Sequence, residues 1–219
     1  MLYFLGRAIF RVLFRCLCLW EVEGRENLPP RGGVILAPNH TSYLDPPLAG
    51  SAVGRPVYFM AKEELFSVPI LGWLIRRTHA FPVRRGAADR QALKKARELL
   101  ERGEVLVMFP EGRRSLDARL QKAELGLALV AARANAPVVP MALIGSNRAL
   151  PGGSPFLRPA KIRVRIGAPI FFASVTNQDI SRQSLQAFAD KIMEAIRCLL
   201  PEEMGGRFGQ VEGGSDAAK

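Results

Sequence analysis

Any fold of this chain has to bury several short runs of consecutive apolar residues, which alternate with stretches of helical pattern. Residues 33–38, 104–109 and 136–145 are such runs, almost entirely apolar and bounded by Gly or Pro. A strand that is apolar along its whole length is buried on both faces, which is typical of a parallel sheet covered by helices on each side. The sequence therefore predicts an α/β fold with a central, mostly parallel mixed sheet of about six or seven strands flanked by helices.

The segment 39–46, Asn-His-Thr-Ser-Tyr-Leu-Asp-Pro, directly follows the first apolar run. Asp45 before Pro46 is typical of a helix start, with Asp as the N-cap and Pro at the first helical position. His40 would then leave a strand end a short loop earlier, so that the carboxylate can turn back onto the imidazole. A histidine held through one ring nitrogen keeps the other as a general base. The alternative is an ordinary histidine and an ordinary helix cap.

A second polar cluster, residues 109–115 (Phe-Pro-Glu-Gly-Arg-Arg-Ser), follows another predicted buried strand. Such a cluster favours a phosphate pocket. Gly112 allows close approach of the backbone, Arg114 can bind two phosphate oxygens at once, and Ser115 can donate one more hydrogen bond. Glu111 cannot bind phosphate directly, so we expect it to orient the arginines or to accept a hydrogen bond from a substrate hydroxyl.

Together the two clusters resemble motifs of the phospholipid/glycerol acyltransferase family, and within it the 1-acyl-sn-glycerol-3-phosphate acyltransferases. The family's first motif places four residues between a histidine and an aspartate, and the third reads Phe-Pro-Glu-Gly-x-Arg-Ser. Residues 109–115 fill the third motif, and the first is filled by Asn39, His40, Ser42 and Asp45. The resemblance covers roughly residues 20–198.

The resemblance extends to three further positions. Arg85 aligns with the family's phosphate-binding arginine, although His79 stands where glycine is usual, and the pair of residues 84–85 is also compatible with plain surface charge. Pro140 corresponds to the proline of the fourth motif, which we expect to shape an apolar wall. Lys62 matches a lysine that often follows the preceding strand, where it either reaches the substrate phosphate or is simply solvated.

The resemblance implies transfer of a fatty acyl group from acyl-CoA or acyl-acyl carrier protein to the sn-2 hydroxyl of 1-acyl-sn-glycerol 3-phosphate, giving phosphatidic acid. His40 would be the base and Asp45 its orienting partner, while Arg85 and Arg114, with Lys62, would bind the phosphate. No cofactor or metal is implied. Two alternatives remain: another acceptor (glycerol 3-phosphate, another lysophospholipid or a lyso-aminolipid), or a non-catalytic peripheral lipid-binding protein.

The charge balance also favours an anionic partner. The chain has 31 Lys plus Arg against 20 Asp plus Glu, a formal net charge of +11, which suits nucleic acid, anionic lipid or phosphorylated small molecules. It has no nucleic-acid motif and no aromatic-rich basic strand that could stack bases, so lipid is favoured and no nucleic-acid partner is expected. Three cysteines and two histidines predict neither a disulfide framework nor a multi-histidine metal site, which is typical of a reducing cytoplasm.

The first twenty residues have three charges, Arg7, Arg11 and Arg15, which fall on one stripe of a helix. A membrane span would place Arg11 near mid-bilayer at a cost of about 2.5–3.5 kcal/mol, and a signal peptide would need an uninterrupted apolar core. We therefore favour residues 1–20 as an amphipathic helix whose arginines meet lipid phosphates, on the cytoplasmic face of a membrane; a core-packed helix is the alternative.

The remaining organisation is simple. Residues 21–200 are predicted to form one acyltransferase domain, and residues 201–219 a disordered tail because they are polar and rich in Gly. Residues 68–78 predict a short, strongly apolar helix ending in Arg76 and Arg77. Packing against the core explains that helix, but its pattern would also suit contact with a membrane or an acyl chain.

Overall fold

The computed structural model describes residues 2–84, 89–115, 117–152, 154, 156–174 and 180–205. Its helices are α1 Leu2–Leu17, α2 Asp45–Ala52, α3 Pro69–Arg77, α4 Arg90–Glu101, α5 Leu125–Ala134, α6 Ser146–Ala149 and α7 Arg182–Leu199. Its strands are β1 Trp20–Glu23, β2 Val34–Pro38, β3 Val57–Lys62, β4 Ala80–Val83, β5 Val105–Val107, β6 Val138–Ile144 and β7 Ile162–Ile166.

The described strands form one seven-stranded sheet in the order β1-β7-β6-β2-β5-β3-β4. The neighbours from β6 to β4 are all parallel, whereas β7 runs antiparallel to β6 and β1 is parallel to β7. The prediction of a mostly parallel mixed α/β sheet is confirmed. β2 lies between β6 and β5, so the segment that follows it emerges in the middle of the sheet's carboxyl edge, where folds of this class build their sites.

Each face of the sheet has its own hydrophobic cluster. Val34 and Leu36 of β2 lie in a cluster with α1 and α2, whereas Ile35 and Ala37 lie in a cluster with α4, α5 and α7. All four side chains are fully buried. Burying a Val, Leu or Ile contributes about 1.5–3 kcal/mol each. Because β2 is apolar on both faces, it can occupy only the centre of such a layered structure.

Three local features go beyond the sequence prediction. β4 is a strand that the pattern did not predict, since it contains Pro82, which only an edge strand tolerates. The segment after β6 contains the short helix α6. Helix α5 begins only at Leu125, because the amides of Gln121 and Glu124 bond to residues 110 and 111 instead of a helix.

The predicted tail, residues 201–219, is described only at its start. Glu202–Met204 forms a 3₁₀ turn after α7, and the Met204 side chain is buried in the cluster with α4, α5 and α7. Disorder therefore does not extend to this turn, because it has apolar surface to bury. Residues 206–219 lie outside the described part of the chain.

The N-terminal helix α1 is present, but two of its arginines face the protein. Arg7 donates to the carbonyl oxygens of Gly54 and Arg55, and Arg11 donates to those of Ser51 and Val53 at 2.9 and 3.0 Å. The prediction that these two arginines meet lipid phosphates is therefore wrong. The last carbonyls of α2 lack helical partners, and cationic donors both satisfy them and interact favourably with the helix dipole.

The opposite side of α1 is apolar and exposed. Phe4, Leu5, Ile9 and Val12 are each more than half exposed, whereas Tyr3 and Phe14 are buried against the domain. Arg15 is also exposed. No helix among the described residues is both long and apolar enough to cross a bilayer.

His79 has a positive φ of 65°. This is the position at which relatives usually have glycine, the residue that adopts that conformation without strain. Here the ring stacks on Tyr3 at 4.5 Å and on Tyr58 at 4.8 Å between ring centroids. The two stacks compensate for the backbone strain, and they join α1 to the start of β4.

The pH dependence of stability tests this environment. Burial lowers the pKa of His79 from its ordinary value of 6.5, so between that value and the lowered one the unfolded chain binds a proton that the folded chain does not. Stability should therefore fall on acidification through this window. We expect the melting temperature to drop more steeply between about pH 7.5 and 5.5 in the native protein than in His79→Asn, which tolerates positive φ but does not titrate. Equal slopes would contradict the assignment.

Candidate active site

The ring of His40 is bound to the carboxylate of Asp45 at the carboxyl edge of the sheet. The distance from Nδ1 to Oδ2 is 2.9 Å, Asp45 is fully buried and His40 is 7% exposed. Because a carboxylate only accepts, Nδ1 carries the proton and Nε2 has the free lone pair. Nε2 has no hydrogen-bond partner in the described part of the chain. Chemically, this arrangement can serve as a general base.

Asp45 also determines the shape of the loop. Its Oδ2 accepts from the amides of Thr41 at 2.6 Å and Ser42 at 2.7 Å, in addition to His40. Asp45 is the first residue of α2 rather than its N-cap, which is Leu44. The predicted capping role is therefore wrong by one position, because the carboxylate turns back to the preceding loop and not forward to the helix amides.

Asn39 and Ser42 anchor the same loop to its neighbours. The Asn39 amide bonds twice to the backbone of Leu143 in β6, at 3.1 and 2.7 Å. The Ser42 hydroxyl donates to the carbonyl of Leu150 at 3.1 Å and accepts from the amide of Leu44. Both side chains are buried. Asn39 and Ser42 belong to the motif because they fix the position of the loop that carries His40.

The second motif holds the backbone of His40 from the other side. Glu111 accepts from the His40 amide at 2.8 Å and from the Gln121 amide at 3.0 Å, and the Ser115 amide donates to the His40 carbonyl at 2.7 Å. The ring of Phe109 stacks on the imidazole with centroids 3.9 Å apart. Both polar groups of the His40 backbone are thus bound by a segment some seventy residues away.

Glu111 therefore has a different role from the one that we expected. It is 3% exposed and both its oxygens accept backbone amides, so neither the arginines nor a substrate hydroxyl is its partner in the structure. Burial raises the pKa of Glu111, while the two amide bonds act in the opposite direction. The sequence alone had no signal for this, since both contacts are with backbone groups.

Gly112 and Ser115 also have structural roles. Gly112 has φ 67°, and a Cβ there would lie 3.0 Å from the side chain of Glu124. The Ser115 hydroxyl donates to Asp117 at 2.7 Å, so it is already engaged and does not point to a phosphate as predicted. This bond lowers the pKa of Asp117. Asp117, which sequence reasoning missed, is a local polar partner of the motif.

Arg114 is the free cation of the second motif. Its guanidinium carbon lies 3.6 Å from the ring centroid of Tyr43, a residue of the His40 loop that is 62% exposed. No carboxylate pairs with Arg114 among the described residues. Sequence reasoning missed Tyr43, whose only signal was an aromatic residue inside the first motif. The stack brings a donor-rich group to the edge where His40 lies.

Of the other predicted site residues, Lys62 and Pro140 make no described contact with His40 or Arg114. Lys62 ends β3 at the same edge, and its ammonium group pairs with Glu64 at 3.0 Å. Arg85 lies outside the described residues, while its neighbour Arg84 pairs with Glu63 at 2.7 Å. Pro140 is buried in β6 opposite Ala37 of β2, next to the strand that leads to His40.

Comparison with known proteins decides the family. A profile of the family described as Acyltransferase matches residues 20–144, which include every predicted site residue. The chain belongs to the acyltransferase family. The match spans both the cluster around His40 and the cluster around Arg114.

Individual relatives are also acyltransferases by name. This acyltransferase chain is 37% identical to a chloroplastic 1-acyl-sn-glycerol-3-phosphate acyltransferase of Arabidopsis thaliana over 68% of its own length and 43% of the relative. It is 30% identical to the 1-acyl-sn-glycerol-3-phosphate acyltransferase of Bacillus subtilis over 81% of its own length and 86% of the relative. It spans about half of three plant and algal relatives, between 43% and 54% of their length.

A solved structure is also similar. The crystal structure of the 1-acyl-sn-glycerophosphate acyltransferase from Thermotoga maritima superposes with a TM-score of 0.72 at 28% identity. The match covers 94% of this acyltransferase chain and 80% of that chain. The likeness therefore extends well beyond the site, to the whole layered sheet and the helices around it.

The role of Glu111 can be tested by replacing it with glutamine. In this acyltransferase, Glu111→Gln keeps one acceptor oxygen but turns an NH₂ group towards a backbone amide. We expect a loss of about 1–3 kcal/mol in unfolding free energy, measured by urea denaturation, and a lower turnover number because the His40 backbone shifts. Glu26→Gln, at an exposed site, is the control. A Glu111→Gln protein that matches the control in both measurements would show that these bonds do not hold the site.

Proposed function

We propose that this protein transfers a fatty acyl group from a thioester donor to the sn-2 hydroxyl of 1-acyl-sn-glycerol 3-phosphate, giving phosphatidic acid. The observation that carries the proposal is the free Nε2 of His40, whose other ring nitrogen, Nδ1, is bound by the fully buried Asp45. The unpaired cation Arg114 lies at the same edge of the sheet. A base beside a phosphate-binding group suits an acceptor that has an alcohol and a phosphate. The names of the relatives support the same acceptor.

The proposed reaction needs no covalent enzyme intermediate. His40 Nε2 removes the hydroxyl proton while the oxygen attacks the thioester carbonyl, and Asp45 stabilises the imidazolium that forms. The tetrahedral intermediate then expels the thiolate of acyl-CoA or acyl carrier protein, which takes the proton from His40. The two serine hydroxyls of the motifs favour this route, because Ser42 donates to Leu150 and Ser115 donates to Asp117. The substrate alcohol is therefore the nucleophile.

In this proposal the phosphate is bound mainly by Arg114. Its planar guanidinium group can donate two parallel hydrogen bonds to phosphate oxygens. Arg85 supplies a second cation by its place in the family motif. Lys62 joins them only by exchanging its partner Glu64, an exposed pair that contributes little to stability.

We also propose that the protein works at the cytoplasmic face of a membrane, bound peripherally through α1. The outward face of that helix exposes Phe4, Leu5, Ile9 and Val12, while Arg7 and Arg11 bind carbonyls on the protein side. A helix with this distribution lies in the interface plane, with its apolar face at the acyl boundary. The acceptor then reaches the site from the leaflet, and the thioester donor reaches it from the cytoplasm.

The catalytic assignment predicts different kinetic effects for two substitutions. His40→Ala should lower the turnover number by about 10²- to 10⁴-fold, because the general base is lost. Arg114→Ala should mainly raise KM for the phosphate acceptor, by about tenfold or more, because a hydrogen bond to a charged group contributes about 1.5–3 kcal/mol. Free-thiol release from acyl-CoA, with chromatography of the lipid product, measures both.

A panel of acceptors completes the test. 1-Acyl-sn-glycerol 3-phosphate should be acylated best, ahead of glycerol 3-phosphate, lysophosphatidylcholine and a lyso-aminolipid. The unfolding curve of Arg114→Ala should match that of the native protein, because this side chain lies outside the hydrophobic clusters. His40→Ala should stay folded at the assay temperature, although it loses the hydrogen bond to Asp45 and the stack on Phe109. Near-normal turnover by His40→Ala would refute the mechanism. Release of thiol with no acylated product from any acceptor would refute the proposed activity.

A further inference from the structure

Helix α3 exposes almost all of its apolar side chains. Ile70 is 84% exposed, Trp73 52% and Leu74 43%, and Gly72 is the buried residue of the helix. Gly72 packs so closely on Phe66 that a Cβ would lie 2.3 Å from its carbonyl oxygen. The helix is therefore held to the protein along its small-residue side, and packing against the core does not explain its large apolar residues.

The path of the chain places α3 on the same side of the sheet as α1. α2 connects β2 to β3 and packs in the cluster that includes α1, and the step from β3 to β4 continues in the same direction across the sheet. Because crossovers between parallel strands are right-handed, α3 lies on that face too. The ring of Tyr3 in α1 stacks on His79, two residues beyond the end of α3. This stack joins α1 to the segment that follows α3.

The charges beside this surface favour an anionic occupant. Arg76 and Arg77 end α3, and both are exposed. Arg76 donates to the carbonyl oxygen of Phe66 at 3.1 Å, whereas Arg77 pairs with no carboxylate in the described part of the chain. Arg77 lies over the ring of Trp73, 5.5 Å from its centroid. A tryptophan and cations bordering an apolar face are typical of the headgroup level of a bilayer. A protein partner would need complementary carboxylates, whereas an anionic lipid surface supplies phosphates everywhere.

We infer that α3 is a second membrane-inserting element, which binds the surface of an anionic bilayer together with α1. Ile70, Trp73 and Leu74 enter the acyl boundary, and Arg77 binds lipid phosphate. The inference rests on the proposed function, since it takes the bilayer as the source of the acceptor. α3 starts beyond the carboxyl end of β3, at the edge where His40 lies, so two insertion points orient the site towards the leaflet.

Vesicle binding tests the inference without relying on activity. The double variant Ile70→Gln plus Leu74→Gln removes apolar surface without adding charge. We expect its partitioning into vesicles of phosphatidylcholine and phosphatidylglycerol, measured by co-sedimentation, to fall by at least about tenfold, with an unchanged melting temperature. Ile180→Gln is the control, because Ile180 is exposed but lies just ahead of α7, on the other face. Blue-shifted Trp73 fluorescence on vesicles of the native protein, absent from Trp73→Phe, is expected as well.

Charge and activity provide two further readouts. Arg77→Gln should weaken binding to anionic vesicles by about fivefold and leave binding to pure phosphatidylcholine unchanged. The apolar double variant should lose turnover of a vesicle-borne acceptor but keep it for a short-chain monomeric one.

Vesicle binding of the apolar double variant equal to that of the control would overturn the inference and leave a protein as the occupant of the α3 face. The proposed function fails separately, if the native protein acylates neither acceptor.

A different observation concerns Tyr43, because the guanidinium carbon of Arg114 lies over its ring, 3.6 Å from the centroid. A cation over an aromatic ring is attracted by about 0.5–2 kcal/mol, which restricts a long side chain to one orientation. The geometry assigns Tyr43 the role of a positioning residue for Arg114 in phosphate binding, a role that rests on the proposed function.

The test separates this role from a structural one. Tyr43→Leu should raise KM for the phosphate acceptor by about two- to thirtyfold, with the turnover number and the melting temperature unchanged. Tyr43→Phe should behave as the native protein, because the ring and not the hydroxyl carries the contact. In an Arg114→Ala background, Tyr43→Leu should have no further effect. An unchanged KM in Tyr43→Leu, or an equal rise in the Arg114→Ala background, would overturn the assignment.

Discussion

One oxygen of Asp45 accepts three hydrogen bonds, from the ring of His40 and from the amides of Thr41 and Ser42. The rest of the site depends on this interaction. Because the carboxylate is fully buried, each bond acts in a medium of low dielectric constant, where it is stronger than in water. The same oxygen thus sets the tautomer of the imidazole and the shape of the loop that holds it. Asp45 therefore both orients His40 and holds the loop on which His40 lies, so replacing it would change the site and the local fold together.

The two motifs of the family meet through the backbone of His40 and through two side-chain contacts, Phe109 with His40 and Arg114 with Tyr43. Glu111 binds the His40 amide and Ser115 binds its carbonyl, while β2 and β5 bring the two segments to one edge as parallel neighbours. The motif residues therefore divide into two groups. His40 and Arg114 face the site, whereas Asn39, Ser42, Glu111 and Ser115 bind backbone or neighbouring polar groups and hold the loops rigid. Rigid placement of this kind is what allows a base and a cation to address one small acceptor.

On the face of the sheet that carries α1 and α3, some side chains bind the protein and others remain exposed. Arg7 and Arg11 satisfy carbonyls at the end of α2, so the cationic stripe of α1 stabilises the protein and its apolar side remains uncovered. α3 packs through Gly72 and leaves its large residues outside. In the proposed arrangement both helices rest on one leaflet. The depth and tilt of the domain would then follow from the positions of these two apolar faces, which are fixed by the same packing that forms the sheet.

The sequence by itself determined the fold class and the His40–Asp45 pair. Apolar runs report burial on both faces of a sheet, and a partner five residues away is within reach of a single loop. Only the tertiary structure decided the role of Glu111, the inward direction of Arg7 and Arg11, and the exposure of α3. The physical reason is sequence distance: these contacts join groups forty or more residues apart or depend on which surface a neighbour covers. A local pattern of apolar residues indicates helix or strand, but which polar groups distant in sequence bind one another is decided only when the elements pack.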